Sequence, residues 1–171
     1  MRLRLVEPAD AAAILTIYNH EVSTGTNTFD LVTRSLEAQR TWIERHRGAH
    51  PAIVAVDEPG PDVPGSGQGD VVGFAVLSPF RDRAAYATTV EDSVYVHRDH
   101  RGQGIGRMLL DEMLRLAAAQ GFHAAIARIS SENVASIRLH LACGFEKVGV
   151  EREVGRKHGR WLDVVELQRM L

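Results

Sequence analysis

The segment Asp92 to Gly106, DSVYVHRDHRGQGIG, constrains this chain most. A β-branched run, Val94-Tyr95-Val96, leads into a loop carrying Gly102, Gly104 and Gly106. Ile105, Leu109, Met113, Leu116 and Ala117 then recur at helical spacing. This order predicts a strand, a tight loop and a helix. Glycine at a helix entrance accepts positive φ without penalty and lets an anion approach the N–H groups that the first turn leaves unpaired. Arg101 and Arg107 add cationic side chains beside them. Two familiar phosphate loops do not fit. A G-x-G-x-x-G fingerprint would need its third glycine one residue later than Gly106, and a P-loop would need a following lysine. The spacing present is R-x-x-G-x-G, from Arg101 to Gly106.

Strands are expected at Leu3–Val6, Ala52–Val56, Val71–Leu77, Asp92–Val96, Ala124–Ile129, Phe145–Val150 and Trp161–Gln168. Helices are expected from Ala9, over Leu36–Arg47, from Ile105 to Gly121 and over Asn133–Cys143. Ser23 to Asp30 is turn-rich and reads as a loop. The order β-α-α-β-β-β-α-β-α-β-β predicts a mixed α/β fold of the α+β type, built as one domain over residues 1–171. Residues 57–70, rich in proline and glycine, exceed a tight hairpin turn and are expected to form a flexible hairpin excursion.

Composition excludes several functions. A formal net charge of −2 provides no global basic field for nucleic acid or an anionic membrane. No run approaches the ~18 apolar residues of a membrane span. Arg2, Arg4, Glu7 and Asp10 interrupt any signal-peptide core. A cytoplasmic protein without a nucleic-acid or membrane partner is expected. The single cysteine, Cys143, cannot form an internal disulfide or a cysteine zinc cluster, and reads as a small buried hydrophobe. His97 and His100 have only Asp99 as a companion ligand, so no metal site is expected.

The Arg101–Gly106 pattern resembles the acetyl-CoA pyrophosphate signature of the GCN5-related N-acetyltransferases (GNAT). Asn133-Val-Ala-Ser136, with Leu139-His140 and Cys143-Gly144-Phe145, resembles the later N-x-x-S…GF element of that superfamily. A narrower likeness spans nearly the whole chain. IYNHEV at Ile17–Val22, FRDRAAY at Phe80–Tyr86, TVEDSVYV at Thr89–Val96 and KHGRWLDV at Lys157–Val164 resemble the phosphinothricin and methionine sulfone N-acetyltransferase branch.

The resemblance implies a central twisted mixed sheet with helices on both faces, acetyl-CoA as acetyl donor, no metal, and a homodimer. Cofactor contacts are implied for Val94, Tyr95, Val96, Arg101, Gly102, Gln103, Gly104, Ile105, Gly106, Arg107, Asn133 and Ser136. It implies Glu91 as the general base that deprotonates the acceptor ammonium. The backbone N–H of Val96 or Tyr95 is the implied oxyanion donor. His140 stands near the place where many members carry a tyrosine. Two roles remain open for it, proton donor to the departing thiolate or hydrogen-bonding group within the cleft. Arg81, Arg83 and Tyr86 are the expected acceptor-binding residues, because a guanidinium matches a carboxylate bidentately. Lys157, His158 and Trp161 are expected to complete that wall, with Asn19 and Glu21 facing the same cleft.

The function expected is acetyl transfer to the α-amino group of a small amino-acid analogue of the phosphinothricin, methionine sulfoximine or methionine sulfone type, by direct attack in a ternary complex. The alternatives are a protein N-terminal or polyamine acetyltransferase, and a non-catalytic acyl-CoA-binding module on the same fold.

Overall fold

The computed structural model describes residues 1–58 and 69–171. In chain order the elements are β1 (Arg2–Leu5), α1 (Ala11–Thr24), α2 (Leu36–Arg45), β2 (Ala52–Asp57), β3 (Asp70–Pro79), β4 (Thr89–Val96), α3 (Ile105–Ala119), β5 (Ala124–Ser130), α4 (Val134–Ala142), β6 (Glu146–Lys157) and β7 (Arg160–Met170). Short 3-10 turns precede α1, β4 and α3. Order and type follow the sequence expectation, and boundaries move. The last hairpin grows most: β6 continues to Lys157 rather than ending near Val150. Its later half is polar because it pairs only with β7 at the sheet edge, where no second face imposes an apolar rhythm.

The strands form one sheet in the order β1-β2-β3-β4-β5-β7-β6. Every pairing is antiparallel except β4 with β5. β2 and β3 read as continuous apolar runs because they are buried on both faces. Ala52, Val54 and Val56 pack with Ile14, Ile17 and Tyr18 of α1 and Ile43 of α2. Ile53 and Ala55 point the other way, toward Leu109, Leu110 and Met113 of α3. Alternation along a strand thus assigns alternate residues to two cores, one per face. Asp57 and Asp70 face each other at the base of the β2–β3 hairpin. Residues 59–68, the interior of the expected excursion, lie outside the described residues.

Two features place the site. The first is Gly73, where an added Cβ would lie 3.0 Å from the Tyr95 carbonyl oxygen and 3.1 Å from Leu109 Cδ1, so only glycine lets the start of α3 sit this close to the sheet. The second is the brevity of the parallel pairing. β4 and β5 are joined only from Thr89 to Glu91 against Ala124 to Ile126. Beyond Glu91, β4 stays with β3 and β5 stays with β7. The centre of the sheet therefore splays open.

Candidate active site

A cavity of about 290 Å³ occupies this splay. Its walls come from both sheet faces. Asp92, Val94, Val96, Ala127 and Ile129 line it from the α3 and α4 side, whereas Ser93, Tyr95 and Arg128 carry the opposite parity along β4 and β5. Its rim includes Gly102, Gly104, Ile105 and Gly106 at the start of α3, and Asn133 and Ser136 at the start of α4.

The glycine loop fits a phosphate-bearing group. Gly102 and Gly104 have φ of +76° and +81°, and a Cβ at either would meet nothing within 4 Å. Neighbouring protein packing does not demand glycine there. Backbone conformation does, and the absence of Cβ leaves the approach to the first-turn N–H groups open. Gly104 is also the N-cap of α3, so no side chain caps that end. Asn133 caps α4 instead, with Oδ1 accepting from the Ser136 N–H at 3.1 Å.

Register decides which main-chain groups face the opening. The His97 N–H donates to the Val72 carbonyl at 2.8 Å, and the β3–β4 register runs without a shift from Gly73–Val96 to Pro79–Val90. In an antiparallel pair the bonded residues alternate. Tyr95 and Ser93 therefore turn their backbone groups to β3, while Asp92, Val94 and Val96 turn theirs toward β5, past the point where β5 has left. Of the two expected oxyanion donors, Val96 has its N–H on the open side. Tyr95 has not; its ring stacks on Phe74 at 5.0 Å and meets Tyr18 edge-on at 5.3 Å.

His140 lies deep in the cavity wall, 2% exposed. Its Nε2 is 2.9 Å from Asp92 Oδ2, and its Nδ1 is 2.7 Å from the Ser136 carbonyl oxygen. A carbonyl and a carboxylate only accept, so this geometry favours hydrogen on both ring nitrogens, the imidazolium form. Burial pulls its pKa down, but the hydrogen bond and charge of Asp92, helped by the Ser136 carbonyl, outweigh it and leave the pKa raised. Both N–H groups are engaged by the protein. Asp92 Oδ1, also buried, has no partner among the described residues.

Glu91 sits at the last paired position of β4, on the opposite face from Asp92. It flanks the cavity rather than lining it. Burial pushes its carboxyl above the ordinary glutamate range; Arg128 and Arg81 oppose this, and Asp92 adds to it. Glu21, buried near the end of α1, does line the cavity. It accepts from Arg101 Nη2 and from Asn27 Nδ2, the latter at 2.5 Å. Arg101 Nε also reaches the Val96 carbonyl at 3.4 Å, which ties the glycine loop to both α1 and β4.

The remaining expected residues divide. Gln103 and Arg107 are exposed outside the cavity lining, and Arg107 pairs with Asp111 at 3.4 Å. Arg81, Arg83 and Tyr86 are also exposed and outside the lining; Arg81 lies over the Phe80 ring, and Tyr86 meets that ring edge-on. Asn19 brackets the Arg34 backbone with two hydrogen bonds of 2.9 Å, a structural duty. Lys157 is buried and donates to the Thr28 carbonyl at 2.8 Å. Trp161 is exposed under Arg156, and His158 occupies a positive-φ turn position. Burial and Asp111 push the Cys143 thiol up to about 11, which leaves little thiolate near neutrality. Sequence reasoning missed Asp92 and Arg128 as cavity residues. Each is an ordinary charged residue in a strand, and only the splay exposes their positions.

The Acetyltransferase (GNAT) family model matches residues 15–145. A Pseudomonas aeruginosa protein named L-methionine sulfoximine/L-methionine sulfone acetyltransferase is 39% identical over 161 residues, covering 94% of this chain and 88% of that protein. The Sinorhizobium meliloti phosphinothricin acetyltransferase, solved in complex with acetyl-CoA, superposes with a TM-score of 0.91 at 38% identity, covering 99% of this chain and 88% of the other. A Brucella melitensis structure named ribosomal-protein-alanine N-acetyltransferase superposes with a TM-score of 0.92 at 38% identity, covering all of both chains. This chain belongs to the GNAT acetyltransferase family, and is an acyltransferase that uses acetyl-CoA.

Proposed function

We propose that this enzyme acetylates the α-amino group of a small amino-acid analogue of the phosphinothricin, methionine sulfoximine or methionine sulfone type, by direct attack on the donor. The observation that carries this reading is the cavity through the β4–β5 splay. It joins the glycine loop of α3 to the sheet face bearing Ser93, Tyr95 and Arg128, with Glu91 beside it. Relatives named for those acceptors, at 38–39% identity, support the acceptor class.

Acetyl-CoA supplies the activated acetyl thioester. Gly102, Gly104 and the first turn of α3 hold its phosphates with main-chain N–H groups, and Asn133 and Ser136 border the arm leading inward. Glu91 takes the ammonium proton on its carboxylate, a role that its raised pKa brings nearer to neutral pH. The Val96 N–H, turned toward the open side of β4, stabilises charge developing on the acyl oxygen. Protonated His140 contributes positive charge near the departing sulfur. Its two N–H groups are held by Asp92 and Ser136, which favours the cleft-organising role over direct proton donation.

An amine panel assayed with acetyl-CoA by free-thiol release tests this proposal. Turnover with methionine sulfone or phosphinothricin is expected. Turnover with peptides alone would instead support the second reading, protein N-terminal acetylation, which the name of the Brucella relative favours. We further propose a homodimer. Val148, Val150 and Val154 on the edge strand β6 and Trp161 on β7 expose apolar surface that a second copy would cover. Light scattering at the mass of two chains is the expected result.

A further inference from the structure

Side chains alternate between the faces of a strand, and residues opposite each other on neighbouring strands share a face. Glu91 of β4 stands opposite Ile126 of β5, so Arg128, two residues on, lies on the face of Glu91. Arg128 stands opposite Glu166 of β7. Ser130 stands opposite Val164, and Val164 opposite Glu151 of β6, which carries the same face to the sheet edge. One guanidinium on this face thus meets three carboxylates, Glu91, Glu166 and Glu151.

The outermost of the three takes it. Arg128 Nη2 donates to Glu151 Oε2, the only side-chain hydrogen bond of Arg128 among the described residues. The two side chains are 29% and 33% exposed, so they pair without the desolvation cost of a buried ion pair. Glu91 is half-buried and has no ion-pair partner among the described residues. Charges reach it through space instead. Arg128, and Arg81 on the loop after β3, favour its carboxylate; Asp92 beside it and Glu166 on β7 oppose it. From β3 it meets the uncharged Ser78.

A general base must keep its basicity and leave its oxygens free to accept. A guanidinium seated on Glu91 would lower the first and occupy the second. Resting on the base role proposed for Glu91, we infer that Glu151 is a positioning residue for the reaction: it draws the Arg128 guanidinium toward β6, which leaves the Glu91 carboxylate open to the acceptor ammonium. Glu151 acts through Arg128 from the edge strand, with β5 and β7 between it and β4.

The test reads kcat against pH at saturating acetyl-CoA in wild type, E151Q, R128Q and the double variant. The acceptor is methionine sulfone or, under the second reading, a peptide. kcat falls on the acid side as Glu91 gains its proton, so a cation moving closer shifts that limb to lower pH. In E151Q the limb is expected to move down by about half to one pH unit, with plateau kcat lower by roughly three- to tenfold, as a weaker and more hindered base requires. R128Q should move the limb up by about one unit. The double variant should coincide with R128Q, because Glu151 then has nothing to hold. An acetyl-CoA Kd equal to wild type by calorimetric titration verifies the fold of each variant. An acid limb unmoved or raised in E151Q, unmoved in R128Q, or shifted down by E151Q as far in the R128Q background as in wild type would overturn the role of Glu151 while Glu91 stands as base. Full activity of Glu91→Gln would overturn the base assignment itself, and the role of Glu151 with it.

Discussion

Asp92 and Glu91 are adjacent carboxylates with opposite fates, and strand parity separates them. Asp92 turns toward α4 and binds His140; Glu91 turns to the other face, where its half-buried carboxyl feels desolvation that the Arg128 and Arg81 charges oppose. Glu91→Gln should lower kcat by roughly 10²- to 10⁴-fold, the usual worth of general base catalysis. The loss should be greatest between the Glu91 pKa and that of the acceptor amine, and shrink at high pH where the amine is already free; a kcat–pH profile checks this. His140 makes a separate prediction. Its folded pKa is raised above 6.5, so its contribution to stability is fully present below about pH 6.5 and is lost as pH rises through the folded value. Without the Asp92 charge, burial would hold the His140 pKa down instead. Urea midpoints should therefore fall from pH 6 to pH 8 in the wild type more steeply than in Asp92→Asn.

At the scale of the element, α3 explains why the glycine loop was legible in the sequence. Its conformation is local, set by glycines at positive φ and an apolar stripe that begins at Ile105. Gly104→Ala tests the two demands together. No atom lies within 4 Å of the added Cβ, so the cost to the free protein is the left-handed backbone alone, about 1–2 kcal/mol. Acetyl-CoA affinity should fall further, roughly tenfold or more, because the methyl stands on the phosphate approach. Calorimetric titration set beside urea unfolding separates the two losses. Charge and family likeness marked Arg81 and Arg83, and the fold leaves both exposed on the loop after β3, with the Arg81 charge acting on Glu91.

Across the whole molecule, the two halves of the splayed sheet are joined by the segment between α1 and α2. Lys157 on β6 donates to the Thr28 carbonyl at 2.8 Å and the Glu21 carbonyl at 3.5 Å. Thr26 donates to Glu132 at 2.9 Å, and Arg160 of β7 grips the same carboxylate. An added Cβ at Gly155 would lie 2.2 Å from the Phe29 ring, so that ring rests directly on the β6 backbone. Lys157→Met should cost about 1–3 kcal/mol, since buried carbonyls lose their donor. It should raise the acceptor KM more than the acetyl-CoA Kd, because the segment it anchors brings Asn27 to the cavity wall, on the side we propose for the acceptor.

The sequence by itself determined the order and type of the elements and the glycine-lined entrance to α3, because periodicity, glycine conformation and helix-end N–H groups act over a few neighbouring residues. Its likeness to the family also marked Glu91, His140, Asn133 and Ser136. Only the tertiary structure decided that β4 and β5 part after Glu91, that Val96 rather than Tyr95 turns its N–H to the gap, and that His140 meets Asp92 across 48 positions of chain. It likewise brought Arg128 to the cavity wall. Those outcomes depend on strand register and sheet divergence, which couple distant segments and leave no local mark on the residues concerned.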